Sequence, residues 1–160
     1  MPIQNLTTDY TGRTRDVCII QGASLLGTKT NITLAFGTVS SFCAGVQKLI
    51  QRYMISILTA LGSQIDYPTY GTSLFVNIMG ANNNPGAIQA QNTFNFANAS
   101  VIEAFRAYQS SNSGLPDDEQ IDTAILTDLS SSGDTISFTV NLITKAGTTI
   151  DFVIPLPKQS

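Results

Sequence analysis

Ile136-Ser137-Phe138-Thr139-Val140-Asn141-Leu142 alternates apolar and polar residues without a break. That period of two marks a strand with one buried face. Upstream, Ile121 to Leu126 reads as a second strand, joined to the first through the turn-forming Ser130-Ser131-Ser132-Gly133-Asp134. Downstream, Ala146-Gly147 turns the chain again, and Ile150, Phe152 and Ile154 alternate with Thr149 and Asp151. The three segments predict an antiparallel meander with an apolar face that receives helices and a hydroxyl-rich face opposite. Pro155 and Pro157 are expected to stop the last strand, because proline cannot donate a ladder hydrogen bond.

Working outward, Val46, Leu49, Ile50, Tyr53, Ile57 and Leu61 fall on one helical face, with Gln47, Lys48, Gln51 and Arg52 opposite. Ser40 or Ser41 can cap this helix, and Gly62 is placed to end it. Met54 and Ile55 widen the apolar stripe, which leaves two alternatives open: deep burial in its own domain, or a second face against a partner. Pro68 and Gly71 punctuate the loop that follows. A short helix carrying Leu74, Phe75, Ile78 and Met79 is predicted next, then an Asn-rich loop from Gly80 to Gly86. A further helix is expected to start near Ser100, where Ser100 and Glu103 make a capping box, and to finish by Ser110–Gly114. Before all this, Val17 to Ile20 is a short apolar run closed by Gly22, and Ile32, Leu34 and Phe36 alternate as a half-buried strand. The first 15 residues read as a polar, extended arm. The fold class is α+β: two to three helices packed on an antiparallel sheet ending in a C-terminal β-meander, with an extended N-terminal arm. Residues 1–45 form the arm and its strands, and 46–157 the main domain.

The 160 residues carry a net charge of −3 and only 12% charged side chains, against roughly 25% in an average soluble domain. A chain this long buries about 70% of its unfolded surface, enough for a core without metals or disulfides. The eight Lys and Arg are scattered, so a phosphate-binding surface, and with it nucleic acid, is disfavoured. No apolar run approaches the ~18–20 residues of a membrane span, and no leader pattern opens the chain; the Asn-x-Ser/Thr triplets at Asn5, Asn31 and Asn98 therefore carry no weight. A surface of Thr, Ser and Asn is cheap to desolvate, which suits a subunit packed against others.

With no histidine, His-activated nucleophiles and the commonest zinc sites are excluded. Cys18 and Cys43 read as isolated, buried thiols, with a disulfide the lesser alternative. Gly22 to Gly27 lacks a phosphate-loop lysine. Asp117, Asp118, Glu119 and Asp122 cluster ahead of the meander, but nothing fixes the carboxyl separation a glycosidase needs; a solvated edge is the plain reading and a partner contact the sharper one. Glu103 reads as a helix cap. No cofactor and no metal are expected.

Three pieces in order, Lys48-Leu49-Ile50-Gln51-Arg52, Leu58-Thr59-Ala60-Leu61-Gly62 and Tyr67-Pro68-Thr69-Tyr70-Gly71-Thr72, resemble the W-like baseplate wedge family of contractile phage tails, the sheath initiators. The resemblance extends over roughly Val46 to Pro157. It implies a small structural protein in the virion tail baseplate, assembled in the host cytoplasm and present in several copies in a ring; the lysozyme activity sometimes attributed to this family is not expected here, with no His and with Glu103 read as a helix cap. Its implied partners are the tail tube, the baseplate wedge proteins and the tail sheath protein, with no nucleic acid and no membrane. Two departures stand out: Ser63 and Gln64 follow Gly62 where the family often has Glu, and Asp118-Glu119-Gln120-Ile121 lacks the Pro and Arg of the family's first-strand approach. Gln cannot make the forked pair of an Arg.

Under this reading Asp118, Glu119, Gln120 and Ile121 are candidate partner contacts. Thr149, Asp151 and Val153 form the outward side of a last strand expected to be an open edge, to which a sheath arm adds by main-chain pairing. The arm from Met1 to Arg15 is the alternative contact. Gly62, Pro68, Gly71 and Thr72 are candidate scaffold residues of the loop that orients the next helix. A polymerising sheath- or tube-like tail subunit is the competing function. Pure protein is expected to be monomeric or weakly oligomeric.

Overall fold

The computed structural model describes residues 15–26, 29–34, 42–80 and 86–157. Nearly all of the expected arm, the caps Ser40 and Ser41, Phe36, and the centre of the Asn-rich loop lie outside the described residues.

The elements run β1 (Asp16–Val17), β2 (Ile20–Leu26), β3 (Lys29–Leu34), β4 (Phe42–Cys43), α1 (Gly45–Leu58), α2 (Leu74–Met79), α3 (Ala87–Ser111), a 3-10 turn at Asp117–Glu119, β5 (Ile121–Ser132), β6 (Thr135–Thr144) and β7 (Thr149–Pro157). The fold is α+β, with three helices and the C-terminal meander β5-β6-β7. β1 and β4 form a separate two-stranded ribbon, and the main sheet has the order β2-β3-β7-β6-β5. All its neighbours are antiparallel except β3 and β7, which run parallel through Thr30↔Phe152 and Asn31↔Val153.

The alternation at Ile136–Leu142 does what its period dictates. Ile136, Phe138, Val140 and Leu142 are buried, with Ile150, Phe152, Ile154 and Leu156 beside them on β7. The helices cover this face. Phe94 of α3 stacks on Phe138 with ring centres 5.0 Å apart, and Tyr53 of α1 meets Phe152 edge-on at 5.8 Å.

Several boundaries differ from the sequence reading. β5 continues through the serine run, because β6 pairs with it as far as Ser132↔Thr135 and leaves only Gly133-Asp134 for the turn. Gly133 has φ +53°, the sign a Gly-first two-residue hairpin turn requires. β7 continues through both prolines. Pro155 and Pro157 lie opposite Ser137 and Thr135, the alternate pairs in which no β7 N–H bonds to β6. Gly22 is inside β2 and does not close it. α3 begins at Ala87 and passes through Ser100, whose hydroxyl donates back to the Phe96 carbonyl at 3.2 Å instead of capping a terminus. Ala90, Phe94, Ala97, Val101 and Phe105 are its buried stripe.

α1 ends at Leu58, before Gly62, and its polar face is covered by the chain itself. Gln51 accepts from the Ile19 N–H and donates to the Val17 carbonyl, both at 2.8 Å, while the Gln47 amide donates to the Cys18 sulfur at 3.1 Å. The breadth of the stripe therefore reflects burial in the chain's own fold. Cys18, half-buried, and Cys43, buried, form no disulfide.

Candidate partner-binding site

Asp118, Glu119 and Gln120 lie in the short link between α3 and β5 and Ile121 opens β5; three of the four face inward. Glu119 is 3% exposed. One of its oxygens accepts the Gly45 N–H at 2.9 Å, and the other receives Lys48 Nζ at 2.9 Å. α1 has no side-chain cap of its own, so Glu119 satisfies a free amide at its positive end from across the fold. Gln120 donates to the Leu115 carbonyl at 2.7 Å, and Ile121 is fully buried in the core. Asp118 alone of the four is half-buried. Within the chain, then, Glu119, Gln120 and Ile121, expected as partner contacts, are taken up by the helix terminus, the preceding loop and the core.

The last strand is also not an open edge. β7 lies between β6 and β3, and β3 pairs with it at Phe152 and Val153. Thr149 is exposed at its start, Val153 is half-buried, and the half-buried Asp151 accepts from the Asn141 amide at 2.7 Å. The period-2 pattern identified the strand, but a parallel neighbour that lies before α1 in the sequence leaves no mark in that pattern.

The edges of the main sheet are β2 and β5. The first half of β5 is sealed by amide and guanidinium groups of α3. Gln109 Oε1 accepts the Ile121 N–H at 2.8 Å while its Nε2 donates to the Ile121 carbonyl at 3.1 Å. Arg106 donates to the Asp122 carbonyl at 2.9 Å, and Asn98 to the Ala124 carbonyl at 2.8 Å. These side chains stand where a further strand would pair. The second half, Ile125 to Ser132, has β6 as its only strand neighbour among the described residues, and Ile125 is 52% exposed. Sequence reading missed this division, although the polar residues Asn98, Arg106 and Gln109 on an otherwise apolar-facing helix were its visible signal.

The loop after α1 is built around a parallel bridge between Ala60 and Thr72. Leu61 N–H donates to the Thr72 carbonyl at 2.9 Å, and Thr72 N–H to the Thr59 carbonyl at 2.8 Å. The Thr72 hydroxyl donates to the Ile57 carbonyl at 2.6 Å and accepts the Leu74 N–H at 3.2 Å, joining the end of α1 to the start of α2. Gly62 has φ +78° and Gly71 φ +99°. A Cβ on Gly71 would stand 2.5 Å from the Thr59 carbonyl oxygen. Pro68 is exposed in the same loop.

Among the described residues no group of three or more His, Cys, Asp or Glu could hold a metal, and no helix is long and apolar enough to cross a membrane. Glu103 is exposed on α3. No protein-family model matches the chain, and no curated protein matches it. Among solved structures it is similar to a Geobacter sulfurreducens protein described as a tail lysozyme, at 13% identity and a TM-score of 0.42, over 71% of this chain and 91% of that one. A likeness at that level bears on neither fold nor function.

Proposed function

We propose that this chain is a structural, non-enzymatic protein of a contractile phage tail baseplate, which sits around the tail tube, joins the wedge proteins and starts the first sheath ring by accepting a strand. The resemblance of the α1–loop–α2 stretch supports the setting. The observation that carries the mechanism is the half-sealed edge of β5: α3 closes Ile121 to Ala124, so an incoming strand is confined to Ile125–Ser132. Confinement fixes register, which a template needs and an edge open along its whole length does not give. The absence of catalysis is part of the same reading. The chain has two Glu, one spent on α1 and Lys48, the other exposed on the surface of α3.

A lysine on an edge strand blocks pairing by forcing its charge into the new sheet. Ile125→Lys places one on the exposed side of β5 without touching the core. Particles carrying it should build baseplates and tubes but lack sheath in electron micrographs. Sheaths of normal length on a variant shown to be folded would overturn the assignment of this edge.

A further inference from the structure

Residues 67–102 contain no Asp, Glu, Lys or Arg. This stretch builds α2 and the first four turns of α3, a helical surface that in a solvated protein ordinarily carries charge. Instead its outer stripe reads Ile88, Asn92 and Phe96, spaced to share one face. Ile88 and Phe96 are each 77% exposed, and Val76 on α2 is 53% exposed. Ser73 just before α2, Asn77 of α2 and Gln89 of α3 help line an open groove of about 580 Å³ beside them.

We infer that this neutral groove is a homotypic docking surface, in which a second copy of the chain packs α3 against α3 and each Phe96 enters the other copy's groove. The charge distribution selects the occupant. A charged partner surface would be desolvated against amides and hydroxyls with no counter-ion, which is costly. All 19 charged residues of this chain lie outside 67–102, so two copies meeting through this face bring no charge that must be desolvated or paired. The polar residues of the groove are chiefly Asn and Gln, whose amides donate and accept equally and so satisfy an identical surface related by a two-fold axis. The inference is independent of the baseplate reading.

Sedimentation velocity of the full chain from ~5 to ~500 µM tests it, a range suited to micromolar pairing. The expected result is a monomer–dimer equilibrium whose Kd changes less than about twofold between low and high salt, because no ion pair is there to be screened. Phe96→Arg and Ile88→Glu, both at exposed positions, should each weaken it at least ~tenfold, while Ile65→Arg, at an exposed position of the loop after α1, should leave it unchanged. A monomer at every concentration, or a dimer indifferent to both groove variants, would overturn the proposal.

Discussion

Glu119 holds Lys48 at 2.9 Å across 71 residues of sequence, and its second oxygen takes the first free amide of α1. The pair locks the 3-10 turn that starts the meander onto the helix that covers it. Both side chains are nearly inaccessible, so neither can lose its partner without leaving a charge in the interior.

Glu119→Ala should destabilise the fold by ~3–5 kcal/mol, the range for removing one member of a buried pair. Lys48→Met in the same background should recover part of the loss, since no ammonium is then left beside an apolar group, while the Gly45 N–H still lacks its acceptor. Chemical denaturation of the two single variants and the double variant gives the coupling. Strictly additive losses would show that the two side chains act independently.

Gly71→Ala should cost ~1–3 kcal/mol, from a positive φ that side chains resist and a Cβ 2.5 Å from the Thr59 carbonyl oxygen. Gly86→Ala meets nothing within 4 Å and serves as the control. Equal melting temperatures for the two variants would remove Gly71 from the loop's scaffold.

The Tyr53 hydroxyl donates to Asn98 Oδ1 at 2.8 Å, and Asn98 Nδ2 donates to the Ala124 carbonyl at 2.8 Å, so one relay ties α1, α3 and β5 together. Tyr53→Phe strands a buried acceptor and should cost ~1–3 kcal/mol with the backbone fold retained. Thermal melts followed by near- and far-UV circular dichroism would show the loss. A variant as stable as the parent would mean that Asn98 finds another donor.

Burial raises the Cys43 thiol from 9.0 to about 12, with Cys18 and Asp16 adding to the effect. The folded state therefore holds this proton more tightly than the unfolded chain. Its contribution to stability is fully present below pH 9 and is lost as pH rises toward 12. Burial also pushes the Tyr53 hydroxyl above its ordinary range, which acts in the same direction. Unfolding midpoints should fall steadily above pH 9, and Cys43→Ala should flatten part of that fall. A midpoint constant between pH 8 and pH 10.5 would contradict this (a range spanning the ordinary thiol value of ~8.5).

Gln109→Ala removes both hydrogen bonds from Ile121 and unseals the first half of the β5 edge. Stability should drop by ~1–3 kcal/mol. Exposed edges also recruit strands, so the variant should aggregate at lower temperature than a variant of matched stability altered elsewhere, such as Tyr53→Phe. Light scattering during heating compares them, and coincident onset temperatures would refute the sealing role.

Local pattern was enough for β6, for the buried face of the meander and for the apolar stripe of α1 from Val46 to Ile57, though not for Leu61, which is exposed in the loop beyond it, because alternation and helical period act within a few residues. It was not enough where a partner distant in sequence decides the outcome. Ser100 beside Glu103 satisfies a capping rule, yet Phe94 stacking on Phe138 carries the helix back to Ala87. Pro155 forbids one hydrogen bond, but which residues of β7 need a donor is set by the register of β6. An acidic run ahead of a strand looks solvated until α1 presents Gly45 and Lys48 to Glu119. The neutral stretch 67–102 was written in the sequence, but only the packing of α2 beside α3 made it a groove. Sequence by itself determined the elements and the faces they hide, since side-chain period and hydrophobicity are properties of neighbours along the chain. Tertiary structure decided the caps, the edges and the site, because hydrogen bonds and ion pairs are made between groups that only folding brings within 3 Å.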